Sequence, residues 1–87
     1  MSDVVIEFFA IPRARAGRAE LRLPAASVRE ALAGVMAHCP RLAGLLSPDG
    51  RLNPGYLVVL GEAFVADLDA PLRPGDRLML LSADAGG

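Results

Sequence analysis

The chain has 87 residues, 53% of them hydrophobic and 22% charged, with a formal net charge of −1. That length supports one core and no deep enclosed active site, since so small a domain buries only about 60–65% of its unfolded surface; the composition excludes a disordered chain, and the charge argues against a binder held by phosphate contacts. All nine basic residues are arginine, which excludes a Schiff-base or catalytic lysine and self-conjugation through a lysine amine.

Asp3 to Ala10 (DVVIEFFA) is rich in β-branched and aromatic residues and reads as a strand. Period-2 alternation puts Val4, Ile6 and Phe8 on the core face, with Val5 and Phe9 sharing the outer face with Glu7. Pro12 is expected to end this strand, and Arg13 to Arg18 to form a polar connection. Ala19 to Leu23 alternates again, with Leu21 and Leu23 inward, so the first two strands read as a hairpin with a long loop. Ser27 and Glu30 form a capping box. The helix behind it runs from Val28 to about His38, with an apolar stripe of Val28, Leu32, Val35, Met36 and Cys39. Pro40 stops it, Arg41 to Leu46 are expected to add a short helical turn, and Ser47 to Gly55 is a loop.

Tyr56 to Leu60 reads as a buried-type strand. Gly61-Glu62 fits a two-residue hairpin turn, and Ala63 to Ala66 returns as a short strand. Pro74-Gly75 fits the centre of a type II turn. Arg77 to Ala83 is apolar at nearly every position, as a central strand covered on both faces would be. Residues 84–87 follow as a flexible tail, so the division is 1–83 for the domain and 84–87 for the tail. The order β-β-α-β-β-β makes an α+β roll of the β-grasp kind: a mixed sheet of about five strands with one main helix packed on one face. The opposite face has no helix to cover it. Val5, Phe9, Val65 and either Met79 or Leu81 are expected there, and an uncovered apolar face marks a partner site.

Conventional catalytic constellations are missing from the sequence. The single cysteine, Cys39, excludes an intramolecular disulfide and a four-thiolate zinc or iron–sulfur site; the single histidine, His38, excludes a multi-histidine metal site. Being adjacent, the two point to different helix faces, so His38 reads as a solvated residue and Cys39 as a small buried one. Asp67 and Asp69 read as turn residues. Arg13, Arg15 and Arg18 read as a solvated cluster with a modest role in docking an acidic partner. The acidic Met-Ser-Asp start lacks the basic region of a signal peptide, and no apolar run approaches the ~18 residues of a membrane span. The expectation is a soluble cytoplasmic protein with no membrane and no nucleic-acid partner.

The terminal pair Gly86-Gly87 has two readings: a frayed end, or a reactive carboxylate. Without a Cβ, two glycines can thread a narrow channel and adopt any φ an enzyme requires. Adenylation by ATP would turn the carboxylate into a mixed anhydride open to attack by sulfide or a thiol. That chemistry asks nothing of the carrier but an accessible, unbranched terminus.

Phe8-Phe9-Ala10, Ser27-Val28-Arg29-Glu30-Ala31-Leu32, DAPLRPGD from Asp69 to Asp76 and the terminal Gly86-Gly87 together carry a resemblance. Over essentially its whole length the chain resembles the small sulfur-carrier family with the ubiquitin-like β-grasp fold, which includes the small subunit of molybdopterin synthase and the thiamine-pathway carrier. Its length and the Cys39 to Gly55 segment look more like the former. Ser82-Ala83-Asp84-Ala85 stands where the family often has Pro-Pro-Val before the two glycines. The resemblance implies that Gly87 forms the acyl-adenylate and thiocarboxylate, next to Gly86, and that Phe9, Val65 and Leu81 dock the partner; Arg13, from the basic cluster, is expected to join them. The resemblance also implies a ubiquitin-activating-type adenylyltransferase and a larger synthase subunit, or another sulfur-acceptor enzyme, as partners. No cofactor is expected on the chain itself, ATP being used by the activating enzyme, and no enzymatic activity is expected of the chain alone. Sulfur donation to the molybdenum-cofactor precursor leads. Other sulfur acceptors (thiazole, cysteine, tRNA or a secondary metabolite), a protein modifier joined to lysines and a non-catalytic interaction module are the alternatives.

Overall fold

Residues 3–83 are described in the computed structural model; residues 1–2 and 84–87 lie outside them, and with them the expected tail, Gly86 and Gly87. Strand β1, Asp3–Phe8, buries Val4, Ile6 and Phe8 as its alternation requires. It pairs antiparallel with β2, Glu20–Pro24, whose Leu21 and Leu23 face the same core. Helix α2 spans Val28–His38 and sets Val28, Ala31, Leu32 and Val35 into that core. Each fully buried Val or Leu contributes about 1.5–3 kcal/mol over leaving it in water. The capping box forms: the Glu30 N–H donates to Ser27 Oγ at 3.2 Å, and Glu30 Oε1 accepts from the Ala26 N–H at 3.1 Å, one residue ahead of the cap. Inside α2, a Cβ at Gly34 would lie 2.8 Å from a Leu23 methyl, so the glycine lets the helix approach β2 closely.

A 3-10 turn, Pro40–Leu42, follows α2, shorter than the expected helical turn over residues 41–46. Then come β3, Tyr56–Leu60, β4, Ala63–Phe64, and β5, Arg77–Ser82. Their order in the sheet is β2-β1-β5-β3-β4, with β5 parallel to β1 and antiparallel to β3. The central place of β5 agrees with its apolar sequence. Its cover does not: Leu78, Leu80 and Ser82 are buried against the core, whereas Met79 and Leu81 are only half-buried on the other face. The turn into β5 has Gly75 at φ +86°, with the Asp76 N–H donating to the Arg73 carbonyl at 3.0 Å, as a type II turn requires. None of the described helices is long and apolar enough to cross a membrane.

The main departure from expectation is helix α1, Ala10–Ala16, where a polar connection was expected. Pro12 does not simply end the strand: it sits in the first turn of α1, where a missing N–H costs nothing. Alanine and arginine then favour the helix, and Gly17, at φ +72°, closes it by donating to the Arg13 carbonyl at 3.0 Å. The first strand therefore stops at Phe8 rather than Ala10, and the β1–β2 connection is a helix rather than a loop. The new helix packs against β5 and the 3-10 turn at the end of the sheet, so it leaves the outer face open.

Candidate functional site

The outer face of the sheet is built by register. Glu7 lies opposite Glu20 on one side and Met79 on the other; Met79 lies opposite Val59, and Val59 opposite Phe64. Leu81 and Leu57 form the next pair. The face is thus divided. Its β2–β1 half is charged, and its β5–β3–β4 half is apolar, with Met79, Leu81, Leu57 and Val59 half-buried and Phe64 70% exposed.

Arg77 guards the charged half. Its Nε donates to Glu7 Oε1 and its Nη2 to Glu20 Oε2, both at 3.1 Å. The Glu7 hydrogen bond, ahead of the charges themselves, holds the guanidinium above its ordinary pKa. One cation thereby offsets two carboxylates that face each other across β1 and β2. Val5, flanked in register by Arg22 and Arg77, is the one outward residue of β1 that is buried.

Phe9 stands just past β1 in extended conformation, its N–H donating to the Leu80 carbonyl at 3.1 Å. Alternation turns it to the outer side beside Leu81, 38% exposed, as expected for both residues. Arg13 is exposed in the last turn of α1. Val65 does not join them. It lies beyond β4, half-buried against the core cluster, and lines a separate cleft of about 410 Å³ with Arg29, Leu52 and Asp67. Phe64 takes the outward place instead. The sequence held the signal: a two-residue turn pairs Leu60 with Ala63 and so Val59 with Phe64, and Val59 alternates with buried Val58.

The remaining candidates have structural roles. His38 is exposed, with Nδ1 2.9 Å from the Gly34 carbonyl, and Cys39 is buried. Asp67 accepts from the Asp69 N–H at 2.9 Å, a local turn, and Asp69 pairs with Arg29 at 3.0 Å. Among the described residues no three His, Cys, Asp or Glu side chains converge to hold a metal ion.

No family model matches the sequence, and no curated protein matches it significantly. Solved structures do. SAMP1 from Haloferax volcanii is 26% identical with a TM-score of 0.85, covering 99% of this chain and 100% of its own. The structure of the BexX/CysO complex from Amycolatopsis orientalis gives 25% identity and a TM-score of 0.80, covering 97% of this chain and 99% of the other. In the complex of subunits 1 and 2 of molybdopterin-converting factor from Helicobacter pylori, the match has 21% identity and a TM-score of 0.67, covering 98% and 99%. The last two neighbours are thus seen in assemblies with partner proteins. The fold is the ubiquitin-like β-grasp, and the proteins this chain resembles are those of the ubiquitin-like sulfur-carrier family.

Proposed function

We propose that the chain is a sulfur carrier. A carboxylate oxygen of Gly87 attacks the α-phosphorus of ATP on an activating enzyme, and pyrophosphate leaves. Sulfide then attacks the acyl carbon, AMP leaves, and a thiocarboxylate remains on Gly87. Inside a second partner that sulfur is transferred, and water returns the carboxylate. The preferred acceptor is the molybdenum-cofactor precursor, with a larger synthase subunit supplying the catalytic groups, and the site of work is the cytoplasm.

The observation that carries this reading is the uncovered apolar half-face on β5, β3 and β4, which lies on the strand leading towards Gly86-Gly87. A partner seated there receives the end of β5 at its own edge. A neighbour of the same fold in complex with subunit 2 of molybdopterin-converting factor supports the choice of acceptor. The test is chain-dependent exchange of labelled pyrophosphate into ATP on the activating enzyme. Exchange is expected with the full chain and lost on deleting Gly87; exchange that survives the deletion contradicts the reading.

The likeness to SAMP1, a small archaeal modifier protein, favours a second use of the same activated carbonyl: attack by a lysine amine of another protein. Trypsin would cut this chain after Arg77 and leave residues 78–87 on the target lysine. Peptides carrying that branch would establish the modifier reading.

A further inference from the structure

Seven of the nine arginines lie off the charged half of the outer face, and four of them gather at one end of the molecule. Arg13 and Arg15 are on α1, Arg18 just follows it, and Arg41 is on the 3-10 turn that α1 packs against. All four are exposed. The ion pairs among the described residues use Arg29, Arg51 and Arg77, so none of the four has an acidic partner there. For a chain of formal net charge −1, this is a marked segregation of charge.

Arg15 and Arg41 line one open cleft of about 310 Å³, with Ile11, Asn53, Tyr56 and Ser82. Arg15 is held in place: its Nη1 donates to the hydroxyl of buried Tyr56 at 2.5 Å. The cleft is also where the described chain leaves the sheet. Gly55 lines it, and the Gly55 carbonyl accepts from the Ala83 N–H at 2.8 Å. Four residues beyond Ala83 reach at most about 14 Å when fully extended. Resting on the sulfur-carrier reading, any enzyme that works on Gly87 must bring the rim of its active site within that distance of the cleft.

We propose that this cleft and its arginine rim dock an acidic surface on the activating enzyme, with a carboxylate side chain of that enzyme seated between Arg15 and Arg41. Two arginines lining one cleft suit a carboxylate, and loss of water from their guanidinium groups on docking strengthens the pairing. The four charges also steer the encounter so that the end of β5 arrives first. A nucleic acid is the less suited polyanion, since the rest of the chain is net acidic and Tyr56, the one tyrosine of the cleft, is buried rather than offered for stacking.

The test is steady-state loading of the full chain by the activating enzyme with ATP and sulfide, at low and at high NaCl. Arg41→Glu and, separately, Arg13→Glu are expected to raise KM for the carrier about 5- to 10-fold at low salt with kcat unchanged, and to flatten its salt dependence. Arg73→Glu makes the same change in net charge beside the turn at the opposite end of β5, and is expected to shift KM less than about twofold. Thermal melting of each variant controls for folding, and Arg41→Met, which keeps the aliphatic stem, replaces Arg41→Glu if that variant melts early. An unchanged KM in both Arg13 and Arg41 variants, or an equal rise in Arg73→Glu, overturns the docking site and leaves the carrier reading standing. Failure of the wild-type chain to load at all removes both. Saturable binding of polyuridine RNA that Arg41→Glu weakens, with KM unmoved, would assign the cleft to nucleic acid instead.

Discussion

The backbone N–H of Ala83 donates to the Gly55 carbonyl at 2.8 Å, so the chain is still tied to the segment before β3 when it passes the end of β5. Among the described residues, every core side chain lies at or before Ser82. Removing residues 84–87 is therefore expected to leave the melting temperature within about 2 °C of the full chain, because terminal segments contribute little packing, while abolishing adenylation. A circular-dichroism melt and the pyrophosphate exchange assay read the two arms; a large drop in stability would mean the tail packs on the domain.

Phe64 and Phe9 separate docking from folding. Phe64 is 70% exposed, so Phe64→Ser is expected to change stability by no more than about 0.5 kcal/mol. If the apolar half-face seats the synthase subunit or the activating enzyme, the same change weakens that complex at least about tenfold, since exposed aromatics at the centre of an interface carry much of its energy. Phe9→Asp is expected to act likewise, and Val65→Asp to lower stability more than it lowers affinity, because Val65 packs on the core. Calorimetric titration beside a melt decides each case; full affinity in Phe64→Ser would move the interface off β4.

Much of this arrangement was legible in the residues. The alternation in β1 and β2, the Ser27–Glu30 cap, the span of α2, the Gly61-Glu62 turn and the central place of β5 follow from local chemistry, and each is where the spacing put it. Helix α1 was not. Its seven residues make too short a segment for periodicity to show, and Pro12 reads as a stop unless Gly17 is read with it as the matching C-terminal signal. Val65 faces the core rather than outward because the turn register pairs Phe64 with outward Val59 and sets Val65 beside buried Val58, and β4 ends at Phe64 rather than at Ala66. The cleft at Arg15 and Arg41 joins residues 26 positions apart and depends on α1, so it needed the tertiary structure.

Ala10 carries a positive φ of 54° at the junction of β1 and α1, the one such non-glycine residue in the described chain. An L-residue pays about 1–2 kcal/mol there, and glycine pays about 0.5–1 kcal/mol in backbone entropy instead. Ala10→Gly is expected to be neutral or to stabilise by up to about 1 kcal/mol, and Ala10→Val, β-branched, to destabilise. Urea unfolding measures both; a clear loss of stability in Ala10→Gly would show that the junction is unstrained.

Arg77 offsets the facing carboxylates of Glu7 and Glu20, so Arg77→Ala is expected to lower the melting temperature at neutral pH. With the cation gone, the two facing carboxylates repel each other unopposed. Adding Glu20→Gln to Arg77→Ala is expected to recover part of the loss. No recovery in that double variant would mean that Arg77 acts through packing of its stem over Val5, its neighbour in register.

The most direct test of the carrier chemistry is the intact mass of the full chain after incubation with ATP, sulfide and an activating enzyme from the same source. A gain equal to the replacement of one oxygen by sulfur is expected, confined to the C-terminal peptide and lost on deleting Gly87. An unchanged mass, with an enzyme shown to load another carrier, would contradict it and leave a β-grasp interaction module.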